Sequence, residues 1–124
     1  MAQYLNISND GQIFIKWNIT EMLEELNKIF MPVKHYDVDY LASNFNYGID
    51  DTDYAMNTDI TVPIIIAVVE DNKKILLDGN HRLYKAKMLK IEQLPCYVLP
   101  LEFHKKFIED YDEELYRQGI LIIP

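Results

Sequence analysis

The stretch Ile75-Leu-Leu-Asp-Gly-Asn-His-Arg-Leu-Tyr-Lys-Ala-Lys-Met-Leu-Lys90 gathers the most versatile side chains of this chain into one place. A short apolar strand runs directly into Asp78, Gly79, Asn80, His81 and Arg82, and those residues open an amphipathic helix. A strand, a glycine turn and a helix start form an anion site, because first-turn amides and the positive end of the helix dipole point outward together. Arg82 can fork onto two phosphate oxygens, or pair with an acidic neighbour. His81 can donate to a phosphate or exchange a proton near neutral pH, or serve as a hydrogen-bonded structural residue. Asn80 offers its amide to a phosphate, or caps the helix. Gly79 permits positive φ and close backbone approach. Asp78 either holds Mg²⁺ through water or orients His81 or Arg82. A phosphotransferase also needs a base for its acceptor. Glu70, Asp71, Asp37, Asp39 and the aspartates of residues 43–59 are candidates that the sequence does not separate, and Asp37 and Asp39 read equally as a helix cap and its solvent-facing neighbour.

The elements that position this box follow from periodicity and turn chemistry. Residues 4–17 predict a hairpin around Asn9-Asp10-Gly11. Asn18, with Glu21 at the capping-box position, starts a helix whose stripe is Ile19, Met22, Leu23, Leu26, Ile29 and Phe30, ended by Pro32. A strand is expected over 33–37, then a brief helix from Asp37 or Asp39. Residues 43–59 are polar and aperiodic and predict a long loop, solvated or lying as a lid over Gly79. Its aspartates lack the glycine and terminal glutamate of a calcium loop. Thr61–Val69 predicts a buried strand introduced by Pro63, followed by a hairpin into Lys74–Leu77. The helix after Gly79 places Leu83, Ala86 and Leu89/Lys90 on one side, with Lys85 and Lys87 pointing elsewhere. A strand at 96–99 follows Pro95. A final helix over 102–117 presents Phe103, Phe107, Tyr111 and Leu115, Gly119 ends it, and residues 120–124 form an apolar tail that docks as an edge strand or meets a partner.

Composition bounds the function. The chain has 124 residues, enough for one domain with a proper core, and 49% hydrophobic content argues against disorder. No apolar run approaches the ~20 residues of a membrane span, and no signal peptide is legible at the start. The single cysteine, Cys96, excludes an intrachain disulfide and fits a reducing, cytoplasmic setting; its place in an apolar strand reads as core rather than nucleophile. A net charge of −8 opposes free-standing DNA binding. Against that stand Lys73, Lys74, Arg82, Lys85, Lys87 and Lys90, clustered in sequence as a basic patch or as the solvated side of a helix and hairpin tip. His35 and His104 are isolated, so no zinc-ligand spacing exists and no metal site is expected; no Ser-His-Asp arrangement is legible.

The order Pro63-Ile-Ile-Ile, a turn, Lys74-Ile-Leu-Leu-Asp-Gly-Asn-His-Arg-Leu-Tyr-Lys-Ala, then Leu94-Pro-Cys-Tyr-Val resembles the ParB/sulfiredoxin-like domain across about residues 60–99. Phe30 to Leu41 is similar to that family's opening strand and first short helix. The resemblance implies an α+β fold with a small mixed β-sheet and packed helices. Here a family-like core of about 30–100 is preceded by a hairpin–helix extension (1–30) and followed by a C-terminal helix and tail (101–124), all in one domain. Asn80 stands where sulfiredoxins have their reactive cysteine and where partitioning proteins have the glutamate of their CTP box. The free-serine-kinase box is the most similar, sharing Asp78, Gly79, His81 and Arg82. The downstream helix-turn-helix of partitioning proteins has no counterpart.

The expectation is a protein that binds a nucleotide or other small phosphorylated ligand (ATP, ADP or CTP, with Mg²⁺) through Gly79, Asn80, His81 and Arg82. His81 and Asp78 would be the catalytic pair if it is a phosphotransferase or nucleotide hydrolase. The alternative is a non-catalytic protein-interaction or DNA-associated module with a vestigial pocket, using the apolar tail to meet a partner or a second copy.

Overall fold

A computed structural model describes residues 1–123 and shows a mixed α+β chain. Two compact units divide it: Met31–Leu99, and Met1–Phe30 together with the segment from Pro100 onward.

In the second of these, β1 (Tyr4–Asn9) and β2 (Gln12–Asn18) pair antiparallel. Asp10 and Gly11 both adopt positive φ, 51° and 79°, as a two-residue hairpin turn matched to strand twist demands. Asn18 then caps α1 (Ile19–Leu26), its side chain accepting from Glu21 N at 3.0 Å as expected. The helix is shorter than its stripe suggested. It ends at Leu26, before Pro32, and leaves Phe30 89% exposed outside it. Trp17 and His104 are fully buried here, the indole Nε1 donating to His104 Nδ1 at 3.1 Å. That bond requires the imidazole tautomer whose Nδ1 carries no proton.

The single final helix expected over 102–117 is instead two helices. After the short α5 (Leu101–His104) comes a 3₁₀ turn at Lys105–Phe107, then a reversal with Asp110 at φ 49°, and α6 is separately capped by Asp112. Asp112 Oδ1 accepts from Leu115 N at 2.9 Å, so the helix restarts where a good cap stands. α6 (Glu113–Ile122) runs through Gly119 rather than ending there. A Cβ at Gly119 would sit 2.9 Å from the Ile15 side chain, so glycine serves close packing against β2 rather than termination. Ile120 is buried within the helix and residues 120–122 are helical, which corrects the edge-strand expectation for the tail; Pro124 lies outside the described residues.

The unit Met31–Leu99 carries a four-stranded mixed sheet in the order β3-β6-β4-β5, formed by β3 (Lys34–Asp37), β4 (Ile64–Glu70), β5 (Lys73–Asp78) and β6 (Gln93–Leu99). β4 and β6 run parallel, joined by the β5 return and helix α4 (Asn80–Met88); the other neighbours are antiparallel. β4 is β-branched and buried from Ile64 to Ala67, as its composition required. Its Ile64 and Ile66 join Leu83 and Ala86 of α4, Leu94 and Cys96 of β6, and Val38 and Leu41 of α2 (Val38–Asn44) in one core. Residues 43–59 are not structureless: Asp51 caps a five-residue helix, α3 (Thr52–Met56), accepting from Tyr54 N at 2.9 Å. So short a helix leaves no periodic signal.

At its far end α4 stops in a two-bond cap, Ile91 N to Ala86 O at 2.9 Å and Lys90 N to Lys87 O at 3.2 Å. Lys90 occupies the left-handed position at φ 57°, where glycine is the usual choice. Leu83 and Ala86 are buried whereas Leu89 and Lys90 are exposed, because the helix has already ended. Lys90→Gly should raise stability by about 1 kcal/mol by relieving the Cβ conflict. Urea denaturation checks this, with Lys90→Ala, which keeps the Cβ, giving no comparable gain.

Candidate functional site

The box lies where β5 ends and α4 begins. Gly79 is the N-cap of α4, at φ 112° and ψ 17°, a conformation an L side chain rarely takes. A Cβ there would also fall 2.5 Å from Ile64 Cγ2 and 2.7 Å from Ile64 Cβ, so strand β4 leaves no room for one. Because the cap is glycine, no cap side chain bonds the first-turn amides, which helix geometry leaves without intrahelical partners. Asn80 is therefore the first helical residue and not the cap. Its amide reaches across to Gly48 O at a long 3.4 Å.

Arg82 is turned toward its own chain. Nη1 donates to Pro63 O at 2.8 Å and Val62 O at 3.0 Å, while Nη2 donates to Asp78 Oδ2 at 3.0 Å. Both partners of this ion pair are well shielded, 13% and 18% exposed. The guanidinium thus ties the entry of β4 to the exit of β5 through the first turn of α4. Asp78 is engaged by the guanidinium of Arg82.

His81 lies partly buried against Tyr54 of α3, ring centroids 4.7 Å apart in an edge-on arrangement. Tyr47 meets Tyr84 of α4 at 6.5 Å, and Lys85 Nζ donates to Thr58 O at 2.6 Å. Tyr47, Tyr54 and Thr58 of the segment 46–63 thus each meet a residue of α4, while most of the segment is exposed. Sequence reasoning missed Tyr54, Gly48 and Thr58 as neighbours of the box. The one legible signal was Lys85, which shares a helix face with His81 at a spacing of four.

The remaining candidates are elsewhere. Asp37 accepts from Gln93 Nε2 at 3.3 Å, and Asp39 pairs with Lys87 at 3.0 Å on the open surface. Both border a cleft of about 580 Å³ with Lys90 and Glu92 at the other end of α4, and none of Asp78 to Arg82 lines it. The basic cluster is dispersed in the same way, with Arg82, Lys85 and Lys87 each bonded to a different group of the chain. His35 is exposed on β3 and His104 is buried against Trp17. Among the described residues no group of three or more His, Cys, Asp or Glu is placed to hold a metal ion, and no helix is long and apolar enough to cross a membrane. Comparisons with protein-family models, with curated proteins and with solved structures find no match.

Cys96 is fully buried on β6, its Sγ 3.5 Å from Leu94 O, and burial pushes its thiol up to about 11. Two expectations follow from this geometry. Gly79→Ala should cost on the order of 3 kcal/mol, since both the φ and the Ile64 contact oppose a methyl group; thermal denaturation reads this directly. Because the folded state raises the Cys96 pKa, the stability it lends is full below pH 9 and is lost as pH climbs toward 11. Stability measured across that window should fall more steeply in the wild type than in Cys96→Ala, by up to about 1.4 kcal/mol per pH unit.

Proposed function

We propose that this protein binds a nucleotide or other small phosphorylated ligand at the first turn of α4, and that it is built as the ParB/sulfiredoxin-like domain it resembles. The observation that carries this reading is Gly79, left-handed and pressed onto Ile64, which stands at the start of α4 beside Asn80 and His81. A phosphate there would accept from backbone amides, with the Asn80 amide and the His81 ring alongside. Arg82 lends its charge from behind, and gives a direct fork to the ligand only by letting go of the Val62 and Pro63 carbonyls. No carboxylate cluster among the described residues supplies a metal site of the protein's own, so Mg²⁺ would enter bound to a triphosphate. In a transfer or hydrolysis reaction His81 is the group placed to move a proton. Asp78, held by Arg82, would act through that pairing.

A second reading is favoured by one observation, the engagement of Arg82 with Asp78 and two carbonyls. In it the box is a structural brace, and the protein is a non-catalytic interaction module. Calorimetric titration with ATP, ADP and CTP, with and without Mg²⁺, separates the two. Ligand binding predicts heat from at least one nucleotide, weakened about tenfold or more in His81→Ala. The brace predicts no heat from any nucleotide, with Arg82→Ala costing stability alone.

A further inference from the structure

Residues 46–62 are bonded mostly to themselves. Asn46 Oδ1 accepts from Gly48 N, Asp51 caps α3, Asn57 Nδ2 donates to Asp53 O, Thr58 Oγ1 donates to Ala55 O, and Asp59 accepts from both the amide and the hydroxyl of Thr61. Between the core residue Phe45 and the partly buried Ile60, the segment has one fully buried side chain, Ala55, where α3 packs on α4, and one partly buried ring against the core, Tyr47. What else holds it to α4 is largely polar and cationic: Lys85 to Thr58 O at 2.6 Å, Arg82 to Val62 O at 3.0 Å, the long Asn80–Gly48 contact, and Tyr54 on His81. The bonds of Thr61 hold the Asp59 carboxyl below the usual range, with smaller contributions from Lys85 and Arg82, so the segment sets a negative charge near the same two cations.

We infer that residues 46–62 form a strap that competes with an anionic ligand for Arg82 and Lys85, so that ligand uptake and strap release are a single coupled event. The inference rests on the phosphate-binding reading above and adds its regulation. Thr58 and Val62 carbonyls hold the Lys85 ammonium and one bond of the Arg82 guanidinium, charges that a phosphate bound at the first-turn amides would draw toward itself. A segment with little apolar burial and polar latches belongs to the low-stability end of a fold, where local opening is accessible. Reciprocity then requires that whatever opens the strap tightens anion binding by the factor with which the anion opens the strap.

Hydrogen–deuterium exchange on the full chain, with inorganic tripolyphosphate as the probe, tests this. The amides of Ala55, Asn57 and Thr58, each hydrogen-bonded within the strap, are the reporters. Saturating tripolyphosphate should accelerate their exchange on the order of tenfold, while β4 and β6 stay protected. Ala55→Gln wedges α3 from α4 without touching Arg82 or Lys85. It should exchange fast at those amides without ligand and bind tripolyphosphate on the order of tenfold more tightly. Binding with unchanged or slowed strap exchange overturns the strap and leaves the phosphate-binding reading standing. So does an open Ala55→Gln that binds no tighter. Absence of tripolyphosphate and nucleotide binding in both proteins overturns the two together. Should Ala55→Gln fail to fold, the wild-type exchange measurement decides.

Discussion

The guanidinium of Arg82 ties together three pieces of chain that the β4–β5 pairing and the Gly79 turn bring to one place. It takes the last carbonyls before β4, the carboxylate at the end of β5, and its own place in the first turn of α4. Each of those carbonyls sits where the backbone leaves a loop for the strand β4. A single planar donor satisfies them, and a lysine, with one compact ammonium, would not reach all three in this geometry. The Gly79–Ile64 approach depends on the same arrangement, because it is the start of β4 that Arg82 draws against the turn. The core built from Ile64, Ile66, Leu83 and Cys96 then follows from holding β4 and α4 in register.

Much of this was legible beforehand. The hairpin turn at Asp10-Gly11, the Asn18 cap, the buried β4, the glycine turn and the start of α4 were all carried by strong local chemistry, and the structure has them. Termination is where pattern and structure part. Helix periodicity in Ile29 and Phe30 outlasts the helix, Gly119 suggests a stop but admits Ile15, and the stretch 102–117 contains a reversal at Asp110. The role of Gly119 depends on a neighbour distant in sequence, which local pattern does not contain, whereas the Asp112 cap that restarts the helix is local chemistry that the apolar stripe conceals. The site divides similarly. Gly79's backbone role could be read from residue type, but the alternatives for Arg82 and Asn80 differed only in partners, and those partners lie about 20 and 32 residues away.

The acidic balance acquires a local meaning as well. Arg82, Lys85 and Lys87 along α4 each bond a different carbonyl or carboxylate of the chain, so they do not converge on one point. A phosphate-bearing polymer would meet a predominantly negative surface, whereas a small ligand needs only the few donors at a helix start. Charge therefore separates the size of ligand more than its chemistry.

The bond between Trp17 and His104 carries a consequence for how the molecule is assembled. Its partners stand 87 residues apart, further than Lys34 stands from Cys96, its partner across the β3–β6 pairing in the unit Met31–Leu99. Closing so wide a loop costs entropy before any contact rewards it. The opening hairpin cannot complete its burial until the segment beyond Pro100 supplies the imidazole. Until then the indole of Trp17 lacks that acceptor.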